Sequence, residues 1–269
     1  MNFITYAQLV KDIADWQLPR EYNVIAAIPR SGIIPAALLA LQRNIRFTTT
    51  QLHSEGKLIR GGFRDQSNAP QCVLVLDDSL LSGRSIKEAR TLLGTGVKYA
   101  AVYVKPGQEG LVDHYCKTLA MPRMFEWNWL HHYWLQHSCM DIDGVLCEDP
   151  LPTDNDDGPR YLQHLRNARP RFIPTVHVDT LVTSRLEGYR RETEIWLAKH
   201  KVIYKKLIMH PAKSKAERQR LNNHGVLKAR AYRSKEYKLF VESSERQSIE
   251  INKITGKPVL CTDTMRMYV

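Results

Sequence analysis

The chain has 269 residues, 43% of them hydrophobic, and its 39 lysines and arginines against 28 aspartates and glutamates give a formal net charge of +11. That length exceeds one ordinary domain and suits two of roughly 130 residues each. No stretch approaches the ~18 apolar residues of a membrane span, so a cytoplasmic protein with no membrane association is expected. The excess of base points to anionic partners, either phosphorylated metabolites or nucleic acid. Five cysteines, Cys72, Cys116, Cys139, Cys147 and Cys261, are odd in number and include no C-x-x-C pair. They read as reduced thiols, with neither a disulfide framework nor a zinc site.

In chain order, MNFITYAQLVKDIADW has the pattern of an amphipathic helix interrupted by acids rather than of a signal peptide. NVIAAIPRSGIIPAALLALQ places a buried strand at Val24–Ile28, a loop Pro29-Arg30-Ser31-Gly32 and an apolar helix from Ile33. Strand, glycine loop and helix together aim backbone N–H groups at an anion, and Arg30 adds a positive fork. A strand at Phe47–Leu52 follows, then about twenty polar or glycine-containing residues. There Lys57, Arg60 and Arg64, with Gly61 and Gly62, would form a cationic flap over a phosphate; the alternative is a solvated surface loop.

CVLVLDDSLLSGRSIKEARTLL carries a short apolar strand, Val73–Leu76, with Asp77 and Asp78 at its carboxyl end. Ser79, Ser82, Gly83, Arg84 and Ser85 then form a loop entering a helix. Ligands of open α/β sheets bind at that end of the strands. Backbone amides and the hydroxyls of Ser82 and Ser85 can wrap a phosphate while the two acids bind ribose hydroxyls, so a ribose 5-phosphate would satisfy both. KYAAVYVKPG is a further strand. Phe125, Trp127 and Trp129 alternate, and on a strand they would share one face, either to stack on a planar base or to pack a core. The domain boundary is placed near His137, giving domains 1–136 and 137–269.

The apolar run, D-D, three residues and S-G-x-S resemble the phosphoribosyl pyrophosphate (PRPP) motif of type I phosphoribosyltransferases, with Ser82 and Ser85 where threonine is commoner. The resemblance implies that Asp77 and Asp78 bind ribose and that Ser79, Ser82, Gly83, Arg84 and Ser85 cradle the 5-phosphate. Arg30, Ser31 and Gly32 would then form the pyrophosphate loop, and Lys57 to Arg64, including Arg60, the flexible catalytic loop. Mg2+ would bind mainly through the substrate's phosphates. The partners implied are PRPP or a nucleoside 5-phosphate and a nucleobase-like acceptor whose base is not identified.

The second half opens on CMDIDGVLCEDP, Cys139 to Pro150, where Asp141 and Asp143 follow an apolar approach and Gly144 lets the backbone turn away. A loop, Glu148–Arg160, and a helix, YLQHLRNA, come next. The strand Val178–Arg185 ends in Thr183 and Ser184. Lys228 opens the helical stretch LKARAYRSKEY, with Lys235 as the alternative lysine, and a strand Leu239–Val241 leads to Glu242. Acid, strand-end hydroxyl, lysine and acid in this order resemble the haloacid-dehalogenase (HAD) phosphohydrolase superfamily. On that resemblance Asp141 is the nucleophile that forms an aspartyl-phosphate, and Asp143 protonates the leaving oxygen and then activates water. Thr183 grips the phosphoryl group, Lys228 neutralises charge, and Asp141, the Asp143 carbonyl and Glu242 hold Mg2+. Glu242 followed by Ser243 and Ser244 departs from the usual acidic pair. Only about forty residues separate Asp143 from Thr183, too few for a large cap.

The fold expected is therefore α/β, with two doubly wound Rossmann-like domains, the second with little or no cap, as in a family of bacterial and phage fusion proteins. The function expected is a bifunctional enzyme of nucleotide metabolism. Two alternatives stay open: a PRPP- or nucleotide-binding regulatory protein with a weak HAD site, and a phosphatase of polynucleotide ends using the basic run Lys199–Lys238. A homodimer is also left open.

Overall fold

Strand β2, Val24–Ala27, is buried at all four positions, as expected of a parallel strand covered on both faces. Its alternate residues feed two separate cores. Ile25 and Ala27 pack with Leu9, Leu39, Leu74 and Leu76, whereas Val24 and Ala26 pack with Val73, Val75, Tyr99 and Ala101. The period of two in side-chain direction thus divides one apolar run between the two faces of the sheet.

The computed structural model describes residues 1–59, 70–155 and 157–269, and the chain forms two compact units, Asn2–Trp127 and, with Met1, Asn128–Val269. The first unit contains β1 (Asn2–Ile4), α1 (Tyr6–Asp15), β2, α2 (Ile33–Arg43), β3 (Arg46–Thr49) and α3 (Thr50–Ser54). It continues with β4 (Val73–Leu80), α4 (Arg84–Leu93), β5 (Lys98–Val104), β6 (His114–Thr118) and β7 (Arg123–Phe125). Five strands form a parallel sheet in the order β3-β2-β4-β5-β6. The order reverses between β2 and β4, and such a switch point leaves a crevice at the carboxyl ends of the strands.

The second unit contains β8 (Ser138–Met140), α5 (Pro159–Asn167), β9 (Val178–Leu186), α6 (Arg190–Lys199) and β10 (Tyr204–His210). It closes with α7 (Lys215–Leu221), α8 (His224–Arg233), β11 (Leu239–Glu242), α9 (Glu245–Thr255), β12 (Val259–Cys261) and β13 (Arg266–Tyr268). The sheet order is β10-β9-β8-β11-β12-β13, parallel except for β13. Here the switch point lies between β8 and β11. Among the described residues a single helix, α5, lies between Asp143 and Thr183. No helix among the described residues is long and apolar enough to cross a membrane.

Several local expectations are corrected. The start is not one helix: Asn2–Ile4 pairs in parallel with Arg123–Phe125, and helix α1 begins only after Thr5, whose side chain accepts from Gln8 N at 3.1 Å. The strand expected over Phe47–Leu52 ends at Thr49, whose hydroxyl accepts from Leu52 N at 3.2 Å and caps α3. Strand β4 runs on through Asp77, Asp78 and Ser79 to Leu80, still pairing Ser79 with Tyr103 of β5. Phe125, Trp127 and Trp129 do not share a strand face, because β7 stops at Phe125. Phe125 and Trp127 stack at 4.8 Å between ring centroids, while Trp129 meets Phe172 in the second unit.

Helix α1 is tied to the sheet by a buried carboxylate. Asp12 accepts from Tyr103 Oη at 2.8 Å, Lys117 Nζ at 2.5 Å and Gln8 Nε2 at 2.6 Å. Replacing Asp12 by alanine strands the buried Tyr103 hydroxyl, and the expected loss is about 1–3 kcal/mol, read as a lowered urea midpoint with an unchanged denaturant slope.

Candidate functional sites

The first site sits at the β2/β4 switch point. Gly32 follows β2 and precedes α2 so closely to the neighbouring strand that a Cβ there would strike the Ile28 carbonyl and come within 2.9 Å of the Leu76 carbonyl oxygen. Only glycine lets this loop pass over the start of the acid pair. Asp77 and Asp78 are both buried, at 6% and 4% exposure. Asp77 Oδ1 accepts from Asp78 N at 2.9 Å, and Asp78 Oδ2 accepts from Trp127 Nε1 at 2.7 Å. Arg123, buried beside them, donates to Leu80 O at 3.0 Å and lends Asp78 positive potential.

Burial dominates the electrostatics of this pair. It pushes Asp77 up to about 8, with the neighbouring Asp78 charge adding to the rise. Burial raises Asp78 too, against the opposing bond from Trp127. Two adjacent buried acids with so little compensating charge are suited to receive hydroxyl donors or a cation. Around them Ser79 is half-buried, while Ser82, Arg84 and Ser85 are exposed where β4 gives way to α4, and Gly83 takes φ 76° at the start of that helix. An anion there would meet hydroxyls and a helix N-terminus. Arg30 is exposed and Ser31 half-buried in the opposite loop. Lys57 is exposed and paired with Glu55 at 2.9 Å. Arg60, and with it Gly61, Gly62 and Arg64, lies outside the described residues.

The second site sits at the β8/β11 switch point. Asp141 leaves β8 with its N–H on Val241 O at 3.0 Å, and Glu242 ends β11. Lys228 reaches between them: its Nζ donates to Asp141 Oδ2 and Glu242 Oε2, both at 2.6 Å, and to Gln247 Oε1 at 2.9 Å. Lys228 is the fifth residue of α8, which starts at His224, so it does not open the helix as the sequence suggested. Lys235 instead lies exposed on Asp179 at 3.2 Å, away from Asp141. Burial, opposed by Lys228 and reinforced by Glu242 and Asp143, pushes Asp141 up to about 7. Lys228 is pulled down by burial, but the two carboxylates prevail and hold it charged above its ordinary range.

Asp143 has a different partner. Arg185, fully buried, donates to its carboxylate through Nη2 at 2.7 Å and Nε at 3.0 Å, and also reaches Cys147 Sγ at 3.2 Å. Burial alone would raise Asp143, but the guanidinium overcomes it and keeps the acid ionised, below the usual carboxylate range. At rest Asp143 is thus ionised and held ready to accept a proton. Gly144 (φ 75°) turns the chain where a Cβ would sit 2.6 Å from Ser243 Cβ. Thr183 is buried inside β9 and its hydroxyl accepts from Arg185 N at 3.2 Å.

Arg185, Gln247 and Ser243 were not anticipated as parts of this site. The signal for Arg185 was available: a charged residue inside a buried strand requires an opposite charge. For a magnesium ion, the donors on offer are two carboxylates, Asp141 and Glu242, converging on one ammonium, with the Asp143 carbonyl near Ser243 Oγ at 3.5 Å. These are hard oxygens, which suit that ion. Among the described residues no three histidine, cysteine or acidic side chains are grouped to hold a metal, so the main-chain carbonyl would have to be the third protein ligand.

No protein-family model matches the chain. Its first half matches xanthine-guanine phosphoribosyltransferases. It is 29% identical over 146 residues to that of Idiomarina loihiensis, covering 50% of this chain and 87% of the relative. Against that of Chromohalobacter salexigens the identity is 29% over 135 residues, covering 47% and 82%. The solved Helicobacter pylori xanthine-guanine-hypoxanthine phosphoribosyltransferase aligns at 16% identity over 48% of this chain and 92% of its own, with a TM-score of 0.37.

Two outcomes follow from the buried charges. Because the folded protein holds Asp77 protonated to about pH 8 while the unfolded chain releases that proton near 3.8, stability falls as pH rises through this interval, by up to ~1.4 kcal/mol per unit. Asp77→Asn is expected to flatten that fall in urea unfolding measured at pH 5 to 8. Arg185→Ala leaves the Asp143 carboxylate buried and unpaired, and is expected to destabilise the second unit by about 3–5 kcal/mol; Arg185→Lys, restoring charge without the fork, should recover part of it.

Proposed function

We propose that the first unit is a phosphoribosyltransferase joining the ribosyl phosphate of PRPP to a purine base, and that the second is a phosphohydrolase acting through Asp141. For the transferase the reading rests on the buried pair Asp77 and Asp78 at a switch point, in a half-chain that matches xanthine-guanine phosphoribosyltransferases. The two acids accept the ribose hydroxyls, and Ser79, Ser82, Gly83, Arg84 and Ser85 hold the 5-phosphate at the start of α4. Arg30, Ser31 and Gly32 face the pyrophosphate, with Lys57 and Arg60 as its further cations. A purine nitrogen bonds to C1 of the ribose as the C1–O bond breaks, pyrophosphate leaves with the electron pair, and the purine N–H proton passes to solvent.

For the hydrolase the reading rests on Lys228 spanning Asp141 and Glu242. Asp141 attacks phosphorus, the bond to the leaving oxygen breaks, and that oxygen takes its proton from solvent, since Arg185 keeps Asp143 ionised. Asp143 then accepts a proton from the water that cleaves the aspartyl-phosphate. Thr183 and Lys228 hold the phosphoryl oxygens. Mg2+ on Asp141, Glu242 and the Asp143 carbonyl would neutralise charge on the phosphoryl group. A nucleoside monophosphate, the transferase product, belongs to the class of phosphomonoesters that this site would cleave.

The test follows pyrophosphate from PRPP and Mg2+ with guanine, xanthine, hypoxanthine and adenine. Release is expected with at least one of the 6-oxopurines and none from the double variant Asp77→Asn with Asp78→Asn. PRPP binding without release from any base would favour the regulatory reading instead. Free phosphate from a phosphomonoester should vanish in Asp141→Asn, and hydroxylamine trapping during turnover should place a hydroxamate on Asp141.

A further inference from the structure

Beside the Asp141 cluster, on the opposite face of β9 from Arg185, stands a group of side chains that the proposed chemistry does not use. Successive residues of a strand point to opposite faces: Arg185 meets Asp143 and Thr193 of α6, whereas Ser184 turns to α8, where its Oγ lies 2.8 Å from His224 Nδ1. Arg218 of α7 donates from Nη1 to Ser184 O at 2.7 Å, which fixes the plane of its guanidinium. Its Nε–H, however, is buried and has no partner among the described residues. A buried donor left unpaired costs about 1–3 kcal/mol, and among the described residues no carboxylate pairs with Arg218.

This group lies one step from the reacting centre. Met140 pairs with Leu181, so Thr183 and Ser184 lie just beyond the level at which Asp141 leaves β8. His224 precedes Lys228 by four residues on α8, placing the two on one face about one turn apart. The local field is positive: burial and then Arg218, Lys228, His210 and Arg246 hold His224 down to about 4, hence neutral and able to act as a hydrogen-bond partner without adding charge.

We propose that Ser184, Arg218 and His224 form a second anion subsite, which binds a phosphate of the substrate other than the one removed at Asp141. Resting on the phosphohydrolase reading above, this sets a preference among phosphomonoesters for molecules with a second phosphate on a neighbouring position of the ribose or on an adjoining nucleotide. The unpaired Arg218 Nε and its fixed plane match the in-plane donors with which arginine takes a phosphate oxygen. A nucleoside 3′,5′-bisphosphate and the 3′-phosphorylated end of an oligonucleotide share this chemistry.

The experiment compares kcat/KM of the full chain, with Mg2+, on adenosine 3′-monophosphate, adenosine 3′,5′-bisphosphate and a 3′-phosphorylated dinucleotide. The wild type is expected to prefer at least one substrate with a second phosphate over the monophosphate by roughly tenfold or more, and the better of the two names the source. Arg218→Gln should bring that ratio close to one, chiefly through KM, and Ser184→Ala should lower it partway, with thermal unfolding used to check that each variant folds. Equal kcat/KM on all three in the wild type, or a ratio unchanged in Arg218→Gln, overturns the subsite. If no substrate loses phosphate, the phosphohydrolase reading fails separately. Calorimetric binding of adenosine 3′,5′-bisphosphate then decides the subsite: weakening by roughly tenfold in Arg218→Gln but not in Asp141→Asn upholds it, and equal affinity in all three removes it.

Discussion

A carboxylate taken out of water at the end of a parallel strand is costly, and this chain does it in both units. The two solutions differ. Asp141 and Glu242 share the ammonium of Lys228, at 2.6 Å from each, so one buried cation offsets both carboxylates. Asp77 and Asp78 have no lysine between them: hydrogen bonds, among them Asp78 N and Trp127 Nε1, and the field of Arg123 offset their burial, and burial still prevails. That pair stays short of compensating positive charge.

Topology explains why the acids appear where they do. In both units the strand order reverses once, between β2 and β4 in the first and between β8 and β11 in the second. Helices leave on opposite sides at these points and open a crevice at the carboxyl ends of the strands. Sheets covered on both faces have no other place to present polar groups without disrupting a core. Gly32 and Gly144 serve the same end: each removes a Cβ that would collide with the neighbouring strand or its following turn.

The acids could be read from the sequence because each ends an apolar run, VLVL before Asp77 and LFV before Glu242. What depended on long-range partners was hidden. Strand Asn2–Ile4 pairs with Arg123–Phe125, and three residues carry no periodicity of their own. The Phe47–Leu52 strand was overextended because Thr49 serves as both last strand residue and helix cap. Lys228 and Lys235 were indistinguishable without the bounds of α8, since the helix ends at Arg233 and only Lys228 lies within it, buried, while Lys235 falls beyond its end. Arg185 follows the hydroxyls of Thr183 and Ser184 at the end of β9, yet an arginine in a buried strand already announces a buried acid opposite it.

We propose that the strand-end carboxylates serve two separate sites, Asp77 and Asp78 by binding the ribose and Asp141 by attacking phosphorus. The most direct measurement follows pyrophosphate and free phosphate together, in one incubation of PRPP, a 6-oxopurine and Mg2+, for the wild type, Asp77→Asn and Asp141→Asn. Both products are expected from the wild type, pyrophosphate without free phosphate from Asp141→Asn, and neither from Asp77→Asn until a preformed nucleotide is added, which then releases phosphate. Loss of pyrophosphate in Asp141→Asn, or phosphate release undiminished in that variant, would contradict this proposal.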